Sequence, residues 1–194
     1  METEILTRLT VGDDTVSPLL FLDVVRKYGL AGEFDRSVIR SAVEIMAGNG
    51  NSAPYSINVH KSTLSDKGFV DFVRSVMDDF PGEKPRVVFE ILETQEFGTP
   101  GASAFMDAGR AELRANVAAL SKIGTTMGID DFPMGDNGIK EVSVIGIENI
   151  RFIKFDGSWL LSTLSSCKRA YIQHEDKFRS LITDIVENIR RMNA

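Results

Sequence analysis

Short apolar runs alternate along the chain with stretches of helical periodicity. Glu2 to Leu9 predicts a strand, followed by a turn at Gly12-Asp13-Asp14. Ser17 as cap and Pro18 in the first turn predict a helix through Phe21, Leu22, Val24 and Val25 that stops near Gly29. A second helix places Phe34, Val38, Ala42 and Met46 on one face and closes at Gly48-Asn49-Gly50-Asn51. Tyr55 to Val59 reads as a strand; Ser65 opens a helix carrying Phe69, Val73, Val76 and Met77, and Pro81-Gly82 breaks it. Arg86 to Glu93 is a densely apolar strand, followed by a small-residue loop from Gly98 to Ala104. Leu113, Val117 and Leu120 mark a helix ending at Gly124, before strands at Thr125 to Asp130 and Arg151 to Asp156. A last helix is periodic at Phe178, Leu181, Ile182, Ile185, Val186 and Ile189.

Five predicted strands separated by helices imply parallel pairing through right-handed crossovers. No linker, low-complexity tract or strict repeat interrupts them, so one domain over residues 1–194 is expected. An open doubly wound sheet and a (β/α) barrel are the two candidate architectures. No Gly-rich phosphate loop follows any strand, which disfavours the nucleotide-binding doubly wound form.

The strands are not apolar throughout, as strands covered on both faces usually are. Ser56, Asn58 and His60 share one face of their strand, against Tyr55, Ile57 and Val59 on the other. Glu90 lies between Val88 and Leu92 on its own face. Glu4 and Arg8 share a face of the first strand, the fourth ends in Asp130-Asp131, and Lys154 and Asp156 share a face of the fifth. A buried carboxylate without a partner is costly, so such groups pair or bind metal. In parallel strands Glu4, Asn58, Glu90, Asp130 and Asp131 converge at one end of the sheet. All offer hard oxygen donors, suited to magnesium, manganese or calcium. Lys154 adds a cation able to hold a phosphate or a nucleophilic water. Against this, each acid taken alone reads as a solvated strand end or the partner of an arginine. His60 and His174 lack a metal-helix spacing, and no Ser- or Cys-nucleophile motif is present.

Composition narrows the class further. The 194 residues are 43% hydrophobic and 26% charged, enough for one sizeable core. A net charge of -6 disfavours DNA or RNA as a non-specific partner. No apolar run approaches a membrane helix, and the first residues are no signal peptide. Cys167 is the sole cysteine, which excludes an internal disulfide and makes a cytoplasmic location the expectation.

The cluster resembles the EAL-domain family of cyclic di-GMP phosphodiesterases, in order from Glu4 to Asp156. Glu4-Ile5-Leu6-Thr7-Arg8 is similar to the signature E-A-L-x-R, with Ile5 in place of alanine. The stretch from Phe21 to Arg40 is similar to the family segment before the next strand. Ser56-Ile57-Asn58-Val59-His60 resembles S-x-N-x-S, with His60 replacing the last serine. Glu90-Ile91-Leu92-Glu93 resembles E-I-T-E, Asp130-Asp131-Phe132 matches D-D-F, and Lys154-Phe155-Asp156 is similar to K-I-D.

The resemblance implies a TIM-barrel-like (β/α) fold whose signature strand is normally the second. It implies two divalent ions, Mg2+ or Mn2+, held by Glu4, Asn58, Glu90 and Asp130. Asp131 would lie between them and help hold the attacking water, which Lys154 would orient or help deprotonate. Arg8 would bind a phosphate and Asp156 would support the second-ion region. The product would be linear 5′-pGpG.

The sequence also departs from the family. Pro133 to Ile139 replaces the loop G-T-G-Y-S-S-L, the usual first strand is missing, and no later strand carries the E-G-V-E glutamate. Five strands are too few to close an eight-strand barrel. The expectation is therefore a truncated or reduced EAL-type barrel, its open edges protected by a homodimer. It would sit in, or derive from, a longer parent with a sensory or regulatory domain. The alternative to an enzyme is a non-catalytic EAL-like module that binds cyclic di-GMP or a protein partner.

Overall fold

The computed structural model describes residues 3–50, 52–92, 103–132 and 139–156. Strand β1 (Thr3–Ile5) leads into a hairpin of β2 (Leu9–Val11) and β3 (Asp14–Val16). Helices α1 (Pro18–Lys27) and α2 (Ala31–Gly48) follow, then β4 (Tyr55–His60), α3 (Lys61–Leu64), α4 (Phe69–Asp79) and β5 (Val87–Leu92). The remaining elements are α5 (Ser103–Ile123), β6 (Thr126–Phe132), α6 (Ile139–Ile145) and β7 (Ile150–Phe155).

Strands β1, β4, β5, β6 and β7 form one parallel sheet in that spatial order. Each new strand is added beside its predecessor, and the order never reverses. A doubly wound sheet needs such a reversal at its switch point, so the sequential order selects the (β/α) barrel type over the open alternative.

The sheet has two chemically different faces because successive side chains alternate. On one face Tyr55, Ile57, Val59, Val87, Phe89, Ile91, Met127 and Ile129 are fully or almost fully buried. They form one core with Ile39 and Val43 of α2, Phe69, Val73 and Met77 of α4, and Val117 and Leu120 of α5. Phe69 meets Phe89 edge-on with ring centroids 5.8 Å apart. The opposite face carries the polar residues Ser56, Asn58 and Glu90.

Three expectations change. The first strand ends at Ile5, and Leu9 belongs to the separate antiparallel hairpin. Gly12 opens its two-residue turn at φ +64°, a conformation glycine reaches without a Cβ penalty. Arg8 therefore lies outside β1 and shares no strand face with Glu4. Ser65 ends α3 instead of opening a helix, and α4 starts only at Phe69. Asp66 makes that turn: its side chain accepts the Gly68 N–H at 2.7 Å, and its carbonyl accepts that of Phe69 at 3.1 Å. From α5, Asn116 Nδ2 donates to the carbonyls of Leu64 and Asp66, so a distant residue fixes the break. Finally, Ser103 and Ala104 open α5 instead of ending a loop. The expectations on Asn51, Glu93, Cys167, His174, segments 98–102 and 133–138 and the periodic stretch Phe178 to Ile189 lie outside the described residues.

Candidate functional site

Register builds the polar face. Glu4 lies beside Ser56, and the next row runs Asn58, Glu90, Gly128 and Phe152 across four strands. Side chains from β1, β4, β5 and β7 then meet. Asn58 Nδ2 donates to Glu4 Oε1 at 3.2 Å. The Lys154 ammonium donates to Glu4 Oε2 at 3.1 Å and to Glu90 Oε1. Glu90 is fully buried, whereas the Glu4 and Lys154 side chains each retain 38% exposure. The cluster is thus sealed on the Glu90 side and open on the other.

Burial pushes the Glu90 carboxyl above the usual carboxylate range, and the charge of Asp130 adds to the rise. Lys154 and the Ser56 side chain oppose it without cancelling it. For Lys154, burial alone would lower the pKa. Hydrogen bonds to Glu90 and Glu4, with the charges of Glu90 and Asp130, outweigh it and raise the value. Lys154 is therefore an ammonium at neutral pH.

The end of β6 is shaped by a bulge. Pairing passes from Ile129 opposite Ile153 to Phe132 opposite Phe155, so Asp130 and Asp131 together face Lys154 alone. Such a bulge bends the strand and re-aims its side chains. Asp131 takes φ +52°, the sole non-glycine positive φ among the described residues, and its N–H donates to Asp130 Oδ1 at 2.9 Å. Beyond the bulge the ladder recovers: Asp156 N–H donates to the Phe132 carbonyl at 3.0 Å, and Phe132 meets Phe155 edge-on.

The structure thus joins Glu4, Asn58, Glu90 and Lys154 directly and sets Asp130 where its charge acts on Glu90 and Lys154. Asp131 is exposed on the bulge, and Asp156 closes the same end of β7. Arg8 stands apart: its exposed guanidinium donates to the Thr7 carbonyl at 3.0 Å. It lines a neighbouring cavity of about 130 Å3 together with Asn58 and His60.

Sequence reasoning missed two features. A Cβ on Gly128 would come 2.4 Å from the Phe152 ring, so glycine is what lets that ring cross the sheet face. The ring in turn carries the Lys154 ammonium 5.6 Å from its centroid. A glycine inside a strand marks such a close approach, and that signal was available in the sequence. The other is the pairing of His60 with Asp35 of α2, from residues 25 apart in the chain.

The donors Glu4, Asn58, Glu90 and Asp130 suit a hard divalent cation. Among the described residues no trio of His, Cys, Asp or Glu is gathered ready to hold a metal; Lys154 engages the carboxylates instead. The fit to a cation is carried by Glu90 Oε2, a buried oxygen with no hydrogen-bond partner among the described residues.

Comparisons with known proteins show the family and the fold. An uncharacterized protein of Mycobacterium tuberculosis is 31% identical over 147 residues, 72% of this chain and 22% of that protein. The cyclic di-GMP phosphodiesterase PdeF of Escherichia coli is 25% identical over 167 residues, 84% of this chain and 21% of that protein. The chain thus spans about a fifth of the length of these curated relatives. Among solved structures, the FimX EAL domain from Pseudomonas aeruginosa bound to c-di-GMP shares the fold. Its TM-score is 0.72 at 20% identity, with 97% of this chain and 69% of that one covered. The PaMucR phosphodiesterase in complex with c-di-GMP gives a TM-score of 0.67 at 21% identity, covering 100% and 74%. The EAL domain family matches residues 1–191, and the chain belongs to that family.

Proposed function

We propose that this chain is a metal-dependent phosphodiesterase domain that opens cyclic di-GMP to linear 5′-pGpG. The observation carrying the reading is the Asn58–Glu4–Lys154–Glu90 network at one end of the sheet, with Glu90 Oε2 buried and unsatisfied. Glu4, Asn58, Glu90 and Asp130 would hold Mg2+ or Mn2+, two ions in the family pattern. Bound there, the ions would supply a Lewis acid for the phosphoryl oxygens and lower the pKa of a water.

The chain's own residues do the rest. Asp131, presented by the bulge, holds the attacking water as an acceptor. Lys154 orients that water or helps deprotonate it. Arg8 binds the second phosphate from the neighbouring cavity, and Asp156 supports the metal ligands at the end of β7. A homodimer, a cytoplasmic location and a regulatory domain in a longer parent belong to the same reading. No described helix is long and apolar enough to cross a membrane.

The test is turnover of cyclic di-GMP by the purified chain with Mg2+ or Mn2+, with Glu90→Ala as control. Linear dinucleotide that disappears in the variant is the expected result. Binding without product would make the chain a non-catalytic cyclic di-GMP module. Neither binding nor product would refute the reading.

A further inference from the structure

Asp35 and His60 form a pair that none of the roles above uses. Asp35 is fully buried on α2. Its Oδ2 accepts the backbone N–H of His60 at 2.9 Å, and its two oxygens lie 2.9 and 3.1 Å from the ring Nδ1. A carboxylate beside Nδ1 keeps the hydrogen on that nitrogen and fixes the ring's orientation. In the neutral ring the lone pair then resides on Nε2, which has no hydrogen-bond partner among the described residues.

The ring borders the cavity of about 130 Å3 that also touches Asn58 and Arg8. Phe21 and Phe34, their ring centroids 5.7 Å apart, form part of its apolar wall. The cavity therefore combines an aromatic wall of two rings tilted 45° to each other, a guanidinium and an oriented acceptor. Through Asn58, hydrogen-bonded to Glu4, it is continuous with the carboxylate cluster. A nucleotide needs that combination: a surface for its base, an acceptor for the base edge and a cation for phosphate.

We propose that His60 is the base-selecting residue of this site and Asp35 its positioning residue. Nε2 accepts a hydrogen bond from the N1–H of a guanine whose ring lies along the Phe21 wall. Adenine presents an acceptor at N1, which would oppose the Nε2 lone pair. A site built to accept from a donor discriminates strongly against a ligand lacking it. The inference rests on reading the cluster as a cyclic dinucleotide site, and it concerns a residue where the family pattern has serine.

The test is equilibrium binding of cyclic di-GMP and cyclic di-AMP to the full chain by calorimetry, with a chelator present so that neither ligand turns over. The native chain should prefer cyclic di-GMP. His60→Phe, which keeps a planar ring and removes the acceptor, should weaken cyclic di-GMP binding about tenfold, the loss of one good hydrogen bond. Cyclic di-AMP binding should change less than twofold. His60→Gln, whose amide oxygen accepts, should recover part of the preference, and Asp35→Asn should reduce it. As a measurement free of variants, the 15N resonance of Nε2 in the native chain should move on adding cyclic di-GMP and stay in place with cyclic di-AMP. Cyclic di-GMP binding with unchanged preference in His60→Phe and a static Nε2 resonance would overturn the inference and leave the site reading standing. A native chain that binds neither dinucleotide would overturn both.

Discussion

The Lys154 ammonium reaches across from β7 to Glu90 on β5 and bonds to Oε1 of a carboxylate that has no exposure to solvent. Oε2 of the same group has no donor among the described residues. The lysine is thus a partial answer to a buried charge, and it also serves Glu4 at the open rim.

Removing it should be costly in a specific way. Lys154→Met leaves Glu90 unpaired, and losing one partner of a buried polar pair costs about 1–3 kcal/mol. Urea unfolding should show that loss. The double variant Lys154→Met/Glu90→Gln should cost less than the two single losses added together, since the stranded charge is gone. Strict additivity would mean that the ion pair contributes nothing to stability.

The raised pKa of Glu90 predicts the sign of a pH effect. Between its unfolded value of 4.5 and the higher folded value, the native state binds more protons than the unfolded state. Stability from this group is therefore fully present below 4.5 and is lost as pH rises through the folded value. Thermal unfolding without divalent metal should show this decline in the native chain, and Glu90→Gln should lack it. If Mn2+ binds at Glu90 it should remove the decline by favouring the ionised form. A native and a Glu90→Gln profile that run parallel from pH 4 to 8 would contradict the assignment.

What was legible in the sequence was whatever depends on local alternation. The period-two pattern of Tyr55 to His60 placed Ser56 and Asn58 opposite the core, and the same rule placed Glu90. What was not legible depends on a neighbour. The bulge that sets Asp130 and Asp131 against Lys154 exists only because β7 is one residue shorter across that span. The strand read as Glu2 to Leu9 ends at Ile5, because Leu9 pairs instead with Val16 in the separate hairpin. The start of α4 is decided by Asp66 and by Asn116 reaching from α5. The Asp35–His60 pair joins a helix to a strand end, and no spacing rule links those two positions.

Gly128 offers a test of how the lysine is held. A Cβ there would overlap the Phe152 ring, which supports the Lys154 ammonium. Forcing an extra methyl into a packed site typically costs about 1–3 kcal/mol. Gly128→Ala should lose that much stability, and turnover should fall because Lys154 is displaced. Adding Phe152→Leu should restore stability without restoring turnover, since it frees space and removes the ring. Full activity in Gly128→Ala would show that the ring position is irrelevant to the lysine.

Asp131 separates stability from chemistry most directly. Its φ of +52° is a conformation that costs ordinary L-residues about 1 kcal/mol and glycine almost nothing. Asp131→Gly should therefore fold at least as stably as the native chain. Asp131→Val, β-branched, should be less stable by about 1–2 kcal/mol. If the carboxylate holds the attacking water, both variants should lose turnover by about a hundredfold or more despite their opposite effects on folding. Urea unfolding beside initial rates checks both halves. Asp131→Gly with native rates would remove the carboxylate from the chemistry, and equal destabilisation by glycine and valine would show that the bulge stores no backbone strain.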